Sequence, residues 1–286
     1  MSSHFISALK LATSTIDGIV DSSVEPNIET ILAGGDSLQW NTWASIESHR
    51  PQARFTTVKI GNAITTLGLA ALAITESPLE IYTVLATHKG DRAATGDKIN
   101  VTDAIVVPMT LEAAIGGAPT LSYGVFMGKE DGTAPYAVTT AQTIPTGLTV
   151  DELWRIGDVD VNSSSIGPVI GWTIDFGYQV EQDIDPESLY PTLVIVKLGQ
   201  PRITIRTKSP TAIDDITLAG SSNVVALTLQ ARTIGGGIAA TGHKVFSTHQ
   251  NVVHVNSLGG SHGERAITEI TCEPVFDGTN NPVTVA

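Results

Sequence analysis

The sequence predicts a mainly β protein: two tandem β-sandwich or small-barrel repeats, each with one helix packed against it. Three observations carry that expectation. Gly, Ala, Val, Ile and Thr dominate while aromatics make up only 5% of 286 residues, a composition that suits strands and tight turns better than long helices. Several segments alternate apolar and polar residues with a period of two, the pattern of a half-buried strand. Short words of the first half also recur in the second, in the same order.

The recurrence is the first thing to fix, because a missed repeat miscasts the whole fold. Ala93-Ala94-Thr95-Gly96-Asp97-Lys98-Ile99 returns as Ala239-Ala240-Thr241-Gly242-His243-Lys244-Val245, 146 residues later, and Asp131-Gly132-Thr133 returns as Asp277-Gly278-Thr279 at the same separation. Upstream, at a separation near 150, Arg50-Pro51 and Arg54-Phe55-Thr56-Thr57 answer Gln200-Pro201 and Thr204-Ile205-Arg206-Thr207. Asp36-Ser37-Leu38 answers Glu187-Ser188-Leu189, and Gly116-Gly117 answers Gly259-Gly260. Ile144-Pro145-Thr146-Gly147 reads as the linker, giving repeats over 1–146 and 147–286. The charge divides evenly: the first repeat holds 8 basic and 14 acidic residues, the second 8 and 15.

Taken in order, residues 16–29 read as one strand, with Ile16, Val20, Val24 and Ile28 turned inward and Asp17, Asp21, Glu25 and Glu29 on the opposite face. Its repeat, 166–180, turns Ile166, Ile170, Trp172, Ile174, Phe176, Tyr178 and Val180 inward, with Asp175, Gln179 and Glu181 outward. Each leads into a polar loop (31–38, with Gly34, Gly35 and Asp36; 181–189, with Asp183, Asp185 and Glu187) and a return strand (39–47; 190–198). The loops are too long for tight hairpin turns and are expected to project. Strands follow each proline, at 53–60 and 202–208. Residues 62–74 place Ile64, Leu67, Leu69 and Leu72 at helical spacing, with a shorter helix expected at 211–218. Further strands are expected at 80–87, 99–109 and 121–127, and at 224–232, 244–255 and 266–273.

The bulk charge narrows function. Sixteen basic against 29 acidic residues leave a net charge of −13, which repels nucleic acid and anionic membranes. The single cysteine, Cys272, excludes an internal disulfide framework and a cysteine-built metal site. Residues 1–5 carry neither the basic nor the apolar region of a secretory signal, and the apolar run 67–74 is far too short to cross a bilayer. Folding in the cytoplasm follows as the expectation.

No chemistry-bearing motif survives inspection. Gly259-Gly260-Ser261-His262-Gly263 fits the Gly-x-Ser-x-Gly elbow, but a strand is expected after it and no histidine follows His262. His243, His249, His254 and His262 are close in sequence, yet His249 and His254 have opposite strand parity. Asp183-Ile184-Asp185-Pro186-Glu187 lacks the glycine and terminal glutamate of a calcium loop, and Gly235-Gly236-Gly237 has no Lys-Ser/Thr after it. No catalytic residue, cofactor or metal is expected.

The layout resembles the tail tube proteins of long-tailed, non-contractile bacteriophages, in the form that carries two copies of the tube fold. The stretches that carry the resemblance are Val20-Asp21-Ser22-Ser23-Val24-Glu25-Pro26-Asn27 running to Gly34-Gly35-Asp36, and Ile174-Asp175-Phe176-Gly177-Tyr178 running to Tyr190-Pro191. The resemblance implies a structural virion protein of the tail, synthesised in the host cytoplasm. Its inner sheet would join neighbours into a closed ring, and rings would stack into a tube conducting DNA. Two folds per chain imply a homotrimeric ring with pseudo-sixfold symmetry, a homohexamer being the alternative. Tape measure, tail tip and terminator proteins are the implied partners; no membrane is. Asp17, Asp21, Glu25, Glu29, Asp175 and Glu181 are the expected lumen-facing acids, and Gly34, Gly35, Asp36, Asp183, Asp185 and Glu187 the expected ring-stacking residues. A capsid decoration or head-surface protein and a carbohydrate-binding module or β-rich hydrolase are the rival readings; only 4 Trp and 5 Tyr are present to build a sugar platform.

Overall fold

The alternating segments become strands, and antiparallel pairing sorts them into one large sheet, two smaller ones and two hairpins. The computed structural model describes residues 4–33, 43–69, 72–74, 79–85, 87, 95–145, 152–209, 222–259 and 267–286. Among them the protein is mainly β.

The main path of the large sheet takes four strands from each half. The first half supplies β3 (Ile19–Glu25), β6 (Gln52–Thr57), β10 (Ala104–Ala114) and β11 (Thr120–Met127); the second supplies β15 (Val169–Asp175), β18 (Arg202–Thr207), β21 (Asn251–Gly259) and β22 (Ile267–Pro274). Their order is β21-β22-β18-β15-β10-β11-β6-β3, with the short β7 (Leu72–Ile74) beside one end of β10. The halves therefore share a sheet through the β10–β15 pair.

Each half also owns a five-stranded sheet. In the first, β1 (His4–Leu11), β2 (Ser14–Ile16), β8 (Leu79–Leu85), β9 (Thr95–Val101) and β12 (Tyr136–Thr143) run in the order β12-β9-β8-β1-β2. In the second, β13 (Leu153–Val161), β14 (Ser164–Ser165), β19 (Val225–Arg232), β20 (Lys244–Ser247) and β23 (Thr284–Val285) run β14-β13-β19-β20-β23. Between small and large sheets lies the core: Leu9, Phe55, Ile81, Leu111 and Tyr123 on one side, Trp172, Ile203, Leu227, Phe246 and Ile270 on the other. Trp172 meets Phe246 across the two layers with ring centroids 6.1 Å apart. A hairpin leaves each half: β4 (Ile28–Ala33) with β5 (Trp43–His49), and β16 (Tyr178–Asp183) with β17 (Leu193–Gly199).

The halves match in register, not only in strand order. In the β3–β6 pair Val24 faces Ala53 and a bulge separates Ile19 from Asp21; in β15–β18 Ile174 faces Ile203 and a bulge separates Val169 from Gly171. Each of these positions is shifted by 150. The β10–β11 and β21–β22 pairs carry bulges at Met109 and Asn256, a shift of 147. The hairpins share a bulge at Glu29/Thr30 and Gln179/Val180. Positive φ recurs too, at Ala12 and Asn162 and at Asn27 and Gly177. In the β8–β9 and β19–β20 pairs, Ile81 opposite Ile99 corresponds to Leu227 opposite Phe246, so the spacing is 146 from β8 to β19 and 147 from β9 to β20, the latter one residue off the 146 read from the Ala-Ala-Thr-Gly words.

Four long strands expected from alternation are broken. Residues 16–29 split into β2, β3 and β4 at Gly18 and Asn27, whose φ values are 68° and 43°. Residues 166–180 split at Gly177, φ 61°, where an added Cβ would lie 2.2 Å from the Gln200 carbonyl oxygen. Residues 99–109 and 244–255 each cross from a small sheet to the large one, at 102–103 and 248–250. Val20, Val24 and Ile28, expected inside, are 54%, 40% and 46% exposed. Trp172, Ile174 and Phe176 are buried as expected.

The helix α1 (Ile60–Leu67) begins and ends earlier than the periodicity indicates, stopping at Gly68, whose N–H closes on the Ile64 carbonyl at 2.8 Å. Its buried face is Ile60, Ala63, Ile64 and Leu67. The free N–H groups of its first turn, at Gly61 and Asn62, donate to the two Glu152 carboxylate oxygens at 2.8 Å each. A carboxylate there satisfies orphan donors and meets the positive end of the helix dipole. The second expected helix, 211–218, lies outside the described residues, as do Thr146 and Gly147 of the expected linker, while Ile144 is buried.

Candidate functional site

With Leu111, Tyr123, Phe55, Ile174 and Ile203 turned into the core, alternation turns their neighbours to the opposite face of the large sheet. That face is continuous across both halves. From one edge it presents Asp21, Ser23 and Glu25 on β3; Arg54 and Thr56 on β6; Ser122 on β11; Thr110 and Glu112 on β10; Thr173 and Asp175 on β15; Arg202, Thr204 and Arg206 on β18; and Glu269, Thr271 and Glu273 on β22. It is a hydroxyl lawn carrying six carboxylates against three arginines.

Hydrogen bonds hold much of this face to itself. Thr56 and Ser122 hydroxyls share a 2.7 Å bond, and Gln52 donates to Glu25 at 3.3 Å. Arg202 meets Glu273 at 3.1 Å and Arg206 meets Glu269 at 3.9 Å. Such exposed pairs stabilise by well under about 1 kcal/mol each, so their main effect is to flatten the potential. Asp21, Glu25, Glu112 and Asp175 have no arginine partner in these pairs and keep the face acidic.

Of the six acids expected on one face, three are there: Asp21, Glu25 and Asp175. Asp17 is not. The break at Gly18 turns it under the sheet, where it is 5% exposed and its carboxylate accepts from Lys59 Nζ at 2.9 Å. Glu29 lies beyond the Asn27 break on the first hairpin, accepting from Ser48 at 2.7 Å and Arg50 at 2.8 Å. The Ser48 hydroxyl, then the Arg50 charge, hold its carboxyl below the usual range. Glu181 lies on the second hairpin, paired with Lys197. Sequence reasoning missed Glu112, Glu269 and Glu273; their alternation within 104–114 and 267–274 was the available signal.

The stacking-loop candidates divide. Gly34, Gly35 and Asp36 lie outside the described residues. Asp183, Asp185 and Glu187 are exposed, but their loop does not project freely: its backbone is tied to the first half. The Leu189 carbonyl accepts from His49 N and the Pro191 carbonyl from Lys129 N, both at 2.8 Å. Tyr190 packs on His49, centroids 5.0 Å apart, and Gln182 Nε2 donates to the Met127 and Pro51 carbonyls at 2.9 and 3.2 Å.

The motifs set aside on sequence grounds gain little. Residues 260–263 of the Gly-x-Ser-x-Gly match lie outside the described residues, between two strands. His243 Nδ1 accepts from Ala231 N at 3.1 Å, and His254 stands 3.8 Å from Glu273 on the sheet face. Among the described residues no three His, Cys, Asp or Glu side chains converge as a metal site would require. Among them, too, no helix is long and apolar enough to cross a membrane.

The two ends of the large sheet complete the geometry. β21 and β3 are its terminal strands. By register they are the counterparts of β10 and β15, the pair that joins the halves, in which Leu111 faces Ile174 and Glu112 faces Thr173. Among the described residues, β21 and β3 thus each lack on their outer edge the neighbour that their counterparts β10 and β15 give one another. In comparison with known proteins, no family model matches the chain and no curated protein matches it.

Proposed function

We propose that the chain is the structural subunit of a bacteriophage tail tube, in which three copies close into a ring of pseudo-sixfold symmetry, rings stack, and DNA passes along the polar, acidic sheet face. One observation carries the reading. The strand pair at the centre of the eight-strand path has its two counterparts at the two ends of that path. Joining β21 of one copy to β3 of the next repeats an existing joint. Three copies then give six similar joints, three within chains and three between.

Physical argument supports closure. Unpaired edge strands expose rows of N–H and C=O groups and invite aggregation, and a closed barrel removes them. A head-to-tail joint gives either a ring or an open filament, and a ring is the common outcome. The face such a ring turns inward suits passage of DNA: hydroxyls offer no fixed charge, and Asp21, Glu25, Glu112 and Asp175 repel phosphates within a Debye length of about 8 Å. Tape measure, tip and terminator proteins would meet the ends of the stack. No catalytic group has a part in this reading.

Negative-stain electron microscopy of the purified protein tests it. Rings or tubes with a central channel are expected. Particles that stay dispersed as single chains or small compact oligomers at every concentration would refute it and favour a decoration protein.

A further inference from the structure

The second hairpin and the first differ in one respect. The second lies on its own first half, across the β10–β15 joint. Beyond Ser48 and His49 at its base, the first lies on nothing described: Ala44, Ser45, Ile46 and Glu47 of β5 are all exposed, whereas on β17 Val194 and Val196, the counterparts of Ala44 and Ile46, are half-covered. A lone two-stranded hairpin is marginal in water, so β4–β5 lacks a surface to rest on.

The second half carries the vacant counterpart of the surface that the first half offers. Gln182 of the second hairpin bridges the carbonyls of Pro51 and Met127; their counterparts, Pro201 and Pro274, line an open cleft of about 580 Å³ with Val275 and Phe276. Val275 and Phe276 are 40% and 58% exposed. Gly132 is covered by Ser188 of the second hairpin, while an added Cβ at its counterpart Gly278 meets nothing within 4 Å.

Side-chain sizes complement one another across the two sites. In the first half Gly128 lies against Val194, so close that an added Cβ would fall 2.5 Å from the valine methyl. At the counterpart positions the sizes are exchanged: Val275 replaces the glycine and Ala44 replaces the valine. The two pairs differ in total volume by a single methyl group, within what close packing can absorb.

We infer that the hairpin β4–β5 of one copy docks on the Pro201, Pro274, Val275 and Phe276 cleft of the next copy, with Ala44 against Val275, while β3 of the first pairs antiparallel with β21 of the second in the register Glu25 to Ser257, Val24 to Leu258 and Ser23 to Gly259. The docking rests on the ring reading above and gives it residue-level contacts. It also covers Val24, whose counterpart Ile174 is fully buried in the internal joint.

The test introduces Ala44→Cys and Val275→Cys into the full chain. Both positions are exposed, so the subunit tolerates the change, and native Cys272 is fully buried, with burial pushing its thiol up to about 12. Under mild oxidation a ladder of covalent dimers and trimers is expected on a non-reducing gel, ending at three chains; either single variant gives no ladder. A second arm guards the result. Ala44→Val overfills the contact and raises the concentration needed for ring formation about tenfold, and adding Val275→Gly restores it. If wild type forms rings but the double cysteine chain stays monomeric under oxidation, or Ala44→Val assembles like wild type, the docking is wrong and the ring reading stands. If wild type forms no rings, the ring reading itself fails.

Discussion

Replacing Asp17 with asparagine isolates the consequence of the strand break at Gly18. Asp17 and Lys59 are both under one-tenth exposed, and the carboxylate is 2.9 Å from the ammonium. Lys59 cannot swing away easily: its Cγ sits 2.9 Å from where a Cβ on Gly18 would be, and its backbone N–H donates to Thr57 Oγ1, whose hydroxyl in turn donates to the Asp17 carbonyl at 2.8 Å. The amide keeps the shape of the carboxylate and removes its charge, leaving a buried ammonium uncompensated. Breaking a buried pair in this way costs about 3–5 kcal/mol. At about 2–4 °C per kcal/mol for a chain of this size, the midpoint of thermal unfolding falls by about 6–20 °C. The double variant Asp17→Leu with Lys59→Met removes both charges and is expected to recover most of that loss. Thermal and urea unfolding of the three proteins is the assay. An Asp17→Asn chain within about 1 kcal/mol of wild type would refute the account of Asp17 as a buried structural acid.

Three further outcomes are expected. Glu152→Ala strips two acceptors from the first turn of α1 and is expected to cost about 1–2 kcal/mol, with faster amide exchange at Gly61 and Asn62; unchanged exchange there would show that water serves as well. Asp131 is held down to about 2 by Lys129 and then Thr133, and Asp277 to about 2 by the Asn280 and Thr279 donors. Because both folded values lie below the ordinary 3.8, their stabilisation is present above that pH and is lost as pH falls towards 2, which carboxyl NMR titration reads directly; ordinary midpoints would contradict the turn geometry. Replacing Asp21, Glu25 and Asp175 together with Lys turns an excess of three acids on the sheet face into an excess of three bases. Assembly is expected to persist and DNA passage to slow, and normal genome ejection would remove the lumen role from that face.

The strand positions were legible because burial on one side writes a period of two. Trp172, Ile174 and Phe176 fell inside as read, and the apolar alternation of 121–127 and 202–208 marked β11 and β18. What periodicity could not register was backbone handedness. Asn27 adopts positive φ with an ordinary side chain, and one such residue turns Glu29 out of the sheet into a hairpin. Gly18 does the same to Asp17. Val24 misled for a different reason: it lies on an edge strand, where an inward direction does not bring cover. The shared sheet was illegible because the β10–β15 pair joins segments that stand far apart in the chain, and no local pattern names a partner at that distance. The repeat words were readable, but their spacing drifts from about 150 to 146 through loops, and strand register resolves where it changes.

The number of chains in one ring tests the central claim most directly. Averaged end-on images of assembled protein, or native mass spectrometry of single rings, are expected to give three chains arranged with six similar lobes. Six full chains per ring, or an open filament with no closed cross-section, would contradict the repeated joint on which the account stands.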